Sequence, residues 1–206
     1  MLHLGCLSPR HPTKFVASTF ANPSHSIKTM TSLPLPPVTL VLGGARSGKS
    51  RYAEGLVETQ AGPWIYLATA TAGDEEMAAR IAEHQRRRGG RWQTSEAPLD
   101  LTGALDAAAK PDTTILVDCL TLWLTNILLA DLDVENECEK LIAALPGLDG
   151  PVVFVSNEVG LGIVPENALA RRFRDAAGRL NQAAAAAAQS VVFVAAGLPL
   201  VMKAPA

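Results

Sequence analysis

Eight consecutive residues, Gly43-Gly44-Ala45-Arg46-Ser47-Gly48-Lys49-Ser50, have the spacing G-x-x-x-x-G-K-[ST], and each residue type has a task in holding a polyphosphate. Gly43 and Gly48 accept the positive φ angles that turn successive backbone N–H groups inward onto phosphate oxygens. A helix starting at Lys49 adds the positive end of its dipole. The Lys49 ammonium reaches the outer phosphates and the Ser50 hydroxyl is placed to ligate Mg2+. Such a loop works only between a strand and a helix. Here the apolar Val38-Thr39-Leu40-Val41-Leu42 precedes it, and a helical pattern from about Lys49 to Gln60 follows. The loop therefore binds a nucleoside triphosphate, ATP or GTP. A second metal anchor is expected at the carboxyl end of a neighbouring strand, and Asp118 supplies it after the apolar run Thr113–Val117.

Several kinds of protein carry phosphate loops. A regulatory GTPase needs an N-K-x-D guanine reader and a D-x-x-G switch. Here Asp118 is followed by Cys119, Leu120 and Thr121, and the nearest Asn candidate reads Asn157-Glu158-Val159-Gly160, so both signals are missing. A helicase or strand-exchange ATPase needs a basic or aromatic surface, but 18 Lys and Arg against 20 Asp and Glu leave a net charge of −2. That balance argues against a nucleic-acid partner. A small-molecule kinase or transferase remains. From Asp74 to Arg88 the pattern is helical, and at about 100° per residue Met77, Ile81, His84 and Arg88 share a stripe with Arg80 and Arg87 beside it. An imidazole among guanidiniums can attack phosphorus while the cations take up charge. The plainer alternatives are a core histidine satisfied by one hydrogen bond and a solvated basic helix end.

Three segments carry a family resemblance: GGARSGKS, Glu75-Glu76-Met77-Ala78-Ala79-Arg80-Ile81 leading to His84, and VSNEVGLGIVPENALARRFRDAAGRLNQ from Val155 to Gln182. Together they resemble the bifunctional adenosylcobinamide kinase/adenosylcobinamide-phosphate guanylyltransferases of cobalamin biosynthesis, over about Val38 to Lys203. The resemblance implies a RecA-like P-loop fold and two reactions on small-molecule substrates. Adenosylcobinamide is phosphorylated from ATP or GTP, and the adenosylcobinamide phosphate then receives GMP from GTP through a guanylyl-histidine. It implies His84 as the nucleophile. It also implies nucleotide contacts from Gly43, Gly44, Ala45, Arg46, Ser47, Gly48, Lys49 and Ser50, from Ala68, Thr69 and Ala70, from Gln85, Arg86, Arg87 and Arg88, and from Glu96 and Asp118. Asp118 stands where some relatives have Glu, which keeps the charge and shortens the reach. Mg2+ falls to Ser50 and Asp118, and the implied assembly is a homotrimer. A P-loop small-molecule kinase without the second step is the alternative. Asn157, Glu158, Gly160, Gly162 and Asn167 could line the corrinoid site or serve as turn and capping residues; both readings stand.

These groups need a scaffold, and the rest of the chain supplies one. Continuously apolar strands are expected at Val38–Leu42, Trp64–Thr69, Thr113–Val117, Pro151–Val155 and Val191–Ala195, with an edge strand at Leu198–Met202. Helical patterns fill the intervals: Leu99–Ala109, Leu120–Ala130, Glu135–Leu145 and Glu166–Gln189, the last with Leu169, Phe173, Ala176, Leu180 and Ala184 on one face. Strands of this kind alternating with helices define an α/β fold, a mainly parallel sheet with helices on both faces. With 48% hydrophobic residues in 206, one such body over residues 38–206 is expected. Residues 1–37 differ: they hold Arg10, Lys14, Lys28, His3, His11 and His25 but no carboxylate, since the first is Glu54. A transit peptide is one reading of such a stretch. A disordered or mis-started extension ahead of Met30 is preferred, because no amphipathic helix can be drawn in it. Three cysteines (Cys6, Cys119, Cys138) without a C-x-x-C pair exclude a disulfide framework and a cysteine-built zinc site. The richest apolar run, Ile115–Leu129, is interrupted by Asp118, Thr121, Thr125 and Asn126, so no membrane span is expected. A cytoplasmic location follows as the expectation.

Overall fold

Period-2 alternation on apolar strands sends consecutive side chains to opposite faces of a sheet, and this chain uses both faces. The structure, a computed structural model, describes residues 34–70 and 90–205; the expected helix Asp74–Arg88 lies outside the described residues. Seven strands form one sheet: β1 (Val38–Gly43), β2 (Trp64–Ala68), β3 (Trp92–Glu96), β4 (Thr114–Asp118), β5 (Val152–Asn157), β6 (Ser190–Ala195) and β7 (Leu198–Lys203). Their order is β3-β2-β4-β5-β1-β6-β7. Every pairing is parallel except that of β6 with β7. The described helices are α1 (Lys49–Glu58), α2 (Leu101–Ala108), α3 (Leu120–Leu129), α4 (Val134–Ala144) and α5 (Ala168–Ala187).

On one face Leu40 and Leu42 of β1, Ile115 and Val117 of β4, and Val152 and Phe154 of β5 pack against buried residues of α2 to α5, with Trp123 and Leu124 of α3 at the centre. On the other face Val41, Leu116, Val153, Val155, Val192 and Val194 meet Ala53 and Val57 of α1. The Trp123 indole, fully buried, donates to the Leu99 carbonyl at 2.7 Å, as a buried indole N–H requires. Side-chain caps fix three helix starts: Asp100 accepts from Gly103 N, Asp133 from Asn136 N and Asn167 from Ala170 N. Among the described residues no helix is long and apolar enough to cross a membrane.

Two features differ from the pattern-based expectation. β3 was not anticipated, because only Trp92 of its five residues is buried and Gln93-Thr94-Ser95-Glu96 carry no apolar signal. It is held as an edge strand by backbone pairing to β2 and by the Trp92 ring, 5.5 Å from that of Trp64. On α5, Ala176, Leu180 and Ala184 are buried as expected, but Leu169 is exposed because the first turn of the helix extends beyond the sheet-facing contact.

A polar chain crosses the α3–α5 side of the core. Ser156 Oγ lies 3.3 Å from Thr121 Oγ1 and donates to Asn181 Oδ1 at 2.7 Å. Asn157 N donates to Thr121 Oγ1 at 2.7 Å, and Asn181 Nδ2 donates to the Asn157 carbonyl at 3.1 Å. Both ends of residue 157 are thereby fixed where β5 leaves the sheet. Asn181→Ala is expected to strand partners in a dry interior at a cost of about 1–3 kcal/mol per unsatisfied group. Urea unfolding of the variant checks this; a change below about 0.5 kcal/mol, typical of surface sites, contradicts it.

Candidate active site

The turn after β1 folds back tightly over the sheet edge. Gly48 (φ 94°) adopts the left-handed backbone expected of it, but the second left-handed residue of the turn is Arg46 (φ 55°) and not Gly43; this alternation points neighbouring amides to one side. A Cβ at Gly43 would lie 2.5 Å from both Ser47 Oγ and the Val194 carbonyl, and one at Gly48 would lie 3.2 Å from Gly197 Cα. A side chain is therefore excluded at Gly43, and at Gly48 the tight approach and the left-handed φ together disfavour one. The β6–β7 turn braces the loop from behind, with Gly197 N donating to the Ser47 carbonyl at 2.8 Å. No carboxylate lies in the first turn of α1, so the positive end of its dipole faces the loop uncompensated. Among the described residues Ser47 Oγ is buried without a hydrogen-bond partner, which is rare for a buried hydroxyl.

Lys49 follows Gly48 and is buried, its Nζ donating to the Gly44 carbonyl at 3.1 Å. Burial pushes the Lys49 ammonium below the usual lysine range, and the Asp118 carboxylate pulls the other way. The Asp118 carboxylate at the end of β4 accepts from Tyr66 Oη at 3.2 Å. Thr69 clasps the next residue: its hydroxyl accepts from Cys119 N at 2.7 Å and donates to the Cys119 carbonyl at 2.8 Å. Asn126 of α3 secures the same segment by donating to the carbonyls of Thr69 (2.7 Å) and Pro98 (3.0 Å). The Cys119 thiol is pushed up to about 12, mainly by burial and next by the Asp118 charge. It stays protonated at neutral pH and is no nucleophile there.

The parallel register aligns most of the sequence-derived site on one edge. Ala68 pairs with Glu96 on one side and Asp118 on the other, and Gly43 pairs with Asn157. Glu96, Ala68, Thr69, Ala70, Asp118 and the loop Gly43–Ser50 thus stand along the carboxyl ends of β3, β2, β4 and β1. Gly43, Ser47, Lys49 and Thr69 are buried; Gly44, Gly48, Ser50, Ala68, Ala70 and Asp118 are half-buried; Ala45, Arg46 and Glu96 are exposed. His84, Gln85, Arg86, Arg87 and Arg88 lie outside the described residues. Ser50 and Asp118 offer hard oxygen donors, and no cluster of three His, Cys, Asp or Glu occurs among the described residues. That donor set fits Mg2+, which is commonly held by one or two protein oxygens with the substrate phosphates completing its shell. Sequence reasoning missed Tyr66 as the partner of Asp118 and Gly197 as the brace of the loop. Neither has a local signal, since each depends on pairing between distant strands.

A glycine-rich turn with a buried lysine, at the same parallel-sheet edge as a strand-end carboxylate, defines a P-loop nucleotide-dependent enzyme. The particular family is also clear: residues 39–202 match the profile of cobinamide kinase / cobinamide phosphate guanyltransferase, and the chain belongs to that family. It is 51% identical to the bifunctional adenosylcobalamin biosynthesis protein CobP of Pseudomonas aeruginosa, over 80% of this chain and 96% of that protein. It is 44% identical to the bifunctional adenosylcobalamin biosynthesis protein CobU of Salmonella typhimurium, over 80% of this chain and 98% of that one. A solved structure from Pyrococcus horikoshii OT3 shares the fold with a TM-score of 0.51 at 8% identity, covering 82% of this chain and 88% of that one.

The depressed Lys49 pKa has a measurable consequence. A triphosphate is attracted by the protonated amine, so ATP affinity should fall as pH rises through the lowered value, before the ordinary lysine range near about 10.4. Lys49→Arg stays charged throughout and should show a flat profile over the same range. Titration calorimetry with ATP between about pH 7 and 10 makes the comparison; a wild-type profile as flat as that of the arginine variant contradicts the assignment.

Proposed function

We propose that this chain phosphorylates the terminal hydroxyl of the aminopropanol arm of adenosylcobinamide with ATP or GTP. It then transfers GMP from GTP to the new phosphate, through a guanylyl group on His84, to give adenosylcobinamide-GDP. The observation that carries the reading is the phosphate loop, with Lys49 buried at its base and Asp118 on the same edge, in a chain of this family. Relatives named as bifunctional favour two steps over the kinase-only alternative.

In the first step the loop amides and Lys49 hold the triphosphate while the acceptor hydroxyl attacks the γ-phosphorus, breaking its bond to the β-phosphate oxygen. Catalysis here is largely positioning and charge stabilisation. Ser50 and Asp118 would hold Mg2+, which supplies charge neutralisation between the phosphates when bound. In the second step neutral His84 attacks the α-phosphorus of GTP and pyrophosphate leaves. A phosphate oxygen of the acceptor then takes the GMP and frees the imidazole. The guanidiniums of Arg80, Arg87 and Arg88 stabilise the departing charge and favour the neutral imidazole near pH 7. Ala68, Thr69, Ala70, Gln85, Arg86, Arg87, Arg88 and Glu96 complete the GTP contacts. The reading includes a cytoplasmic homotrimer without a nucleic-acid partner, built from residues 38–206 with residues 1–37 as an extension.

Incubation with α-labelled and, separately, γ-labelled GTP followed by peptide mapping tests this. The α label should appear on His84 as an acid-labile, alkali-stable phosphoramidate. His84→Ala should lose the adduct and keep phosphorylation of adenosylcobinamide, whereas Lys49→Ala should lose phosphorylation by at least about 100-fold. Label from the γ position alone, or an adduct on another residue, contradicts the reading.

A further inference from the structure

β5 lies between the strand that carries the phosphate loop and the strand that ends at Asp118, and the loop leaving it has an unusual surface. Its base is tied to the phosphate loop itself: Glu158 N donates to the Gly43 carbonyl at 3.1 Å. The Glu158 carboxylate turns back to accept from Gly160 N at 2.6 Å. At the far end Asn167 caps α5, and the Arg171 guanidinium donates to the carbonyls of Pro165 and Glu166. Both ends are held by hydrogen bonds. Between them Leu161, Ile163 and Val164 are 84%, 97% and 58% exposed. Isolated exposed aliphatics are ordinary, but three within four residues beside a reacting edge mark a contact surface.

The occupant follows from the chemistry at that edge. Aliphatic side chains cannot read the polar edge of a purine, so the patch is not built to recognise the nucleotide base. The acceptor, in contrast, carries its hydroxyl on a short arm attached to a corrin macrocycle, whose ring methyl and methylene groups offer apolar contact between its amide side chains. With the hydroxyl at the γ-phosphate, the macrocycle must stand outside the sheet edge, where this loop projects between the phosphate loop and Asp118. We propose that Leu161, Ile163 and Val164 form an apolar platform for the corrin ring of the acceptor, held in place by the Glu158–Gly43 and Arg171 hydrogen bonds. This assignment rests on the function proposed above and names the acceptor side of the same site. Asn157, Glu158, Gly160 and Asn167, left open by the sequence, then act as the scaffold of the platform: backbone anchor, turn and helix cap.

The test uses the full chain carrying Leu161→Ser with Ile163→Ser. Because both side chains are exposed, its melting temperature should match that of the wild type. The KM for adenosylcobinamide in the kinase step should rise about tenfold or more. The KM for ATP and the yield of GTP-derived adduct should stay within about twofold, and the mass by light scattering should be unchanged. An unaltered acceptor KM in a folded variant overturns the platform while leaving the function standing. A fall in mass assigns the patch to a second copy of the chain and also overturns it. A wild-type chain that phosphorylates no adenosylcobinamide overturns the functional reading, and the platform with it.

Discussion

The close approach of backbone to backbone at the end of β1 is the constraint on which the site depends. Gly43 has a Cβ-sized space that is already filled by Ser47 Oγ and the Val194 carbonyl, and Gly48 sits against Gly197. With both side chains absent the turn closes tightly enough to present its amides and the start of α1 to one anion. The seven-stranded sheet supports that turn from three directions. β5 supplies the Glu158 N–H to the Gly43 carbonyl, β6 and β7 supply the Gly197 N–H to the Ser47 carbonyl, and α1 continues directly from it. A glycine pair at the wrong separation would lose the loop however well the core packed.

The second constraint is electrostatic. Lys49 is buried at a cost that lowers its pKa, and Asp118 opposes that cost from the same edge. A buried, partly compensated amine gains strongly from a polyanion, because little water remains to screen the attraction. The clasp of Thr69 on Cys119 and the Tyr66 hydroxyl on Asp118 fix the acid side of the pair. The same clasp joins the ends of β2 and β4, so nucleotide contacts expected after β2 share one rigid edge with the Asp118 carboxylate.

How far the sequence foretold this arrangement depended on how local each signal was. The phosphate loop, Asp118 and the apolar strands β1, β2, β4, β5 and β6 were readable, because each is a contiguous run whose residue types have few other uses. The edge strand β3 was not, since a strand paired on one side only needs no apolar pattern and its single buried residue is Trp92. The buried network of Thr121, Ser156, Asn157 and Asn181 was also hidden. Its members are short polar residues that local reading assigns to turns and caps, and only the packing of α3 and α5 on β5 brings them together. The roles of Asn157 and Glu158 stayed open for the same reason: the choice between binding and support turns on which atoms are already hydrogen-bonded.

The central claim is that one chain carries out two successive transfers on the same acceptor. The direct measurement supplies the full-length chain with adenosylcobinamide, Mg2+ and GTP as the sole nucleotide, and follows all products by mass spectrometry and ion-exchange chromatography. Adenosylcobinamide-GDP is expected as the final corrinoid, with GDP and pyrophosphate released in equal amounts. Accumulation of adenosylcobinamide phosphate with GDP but no pyrophosphate would contradict it.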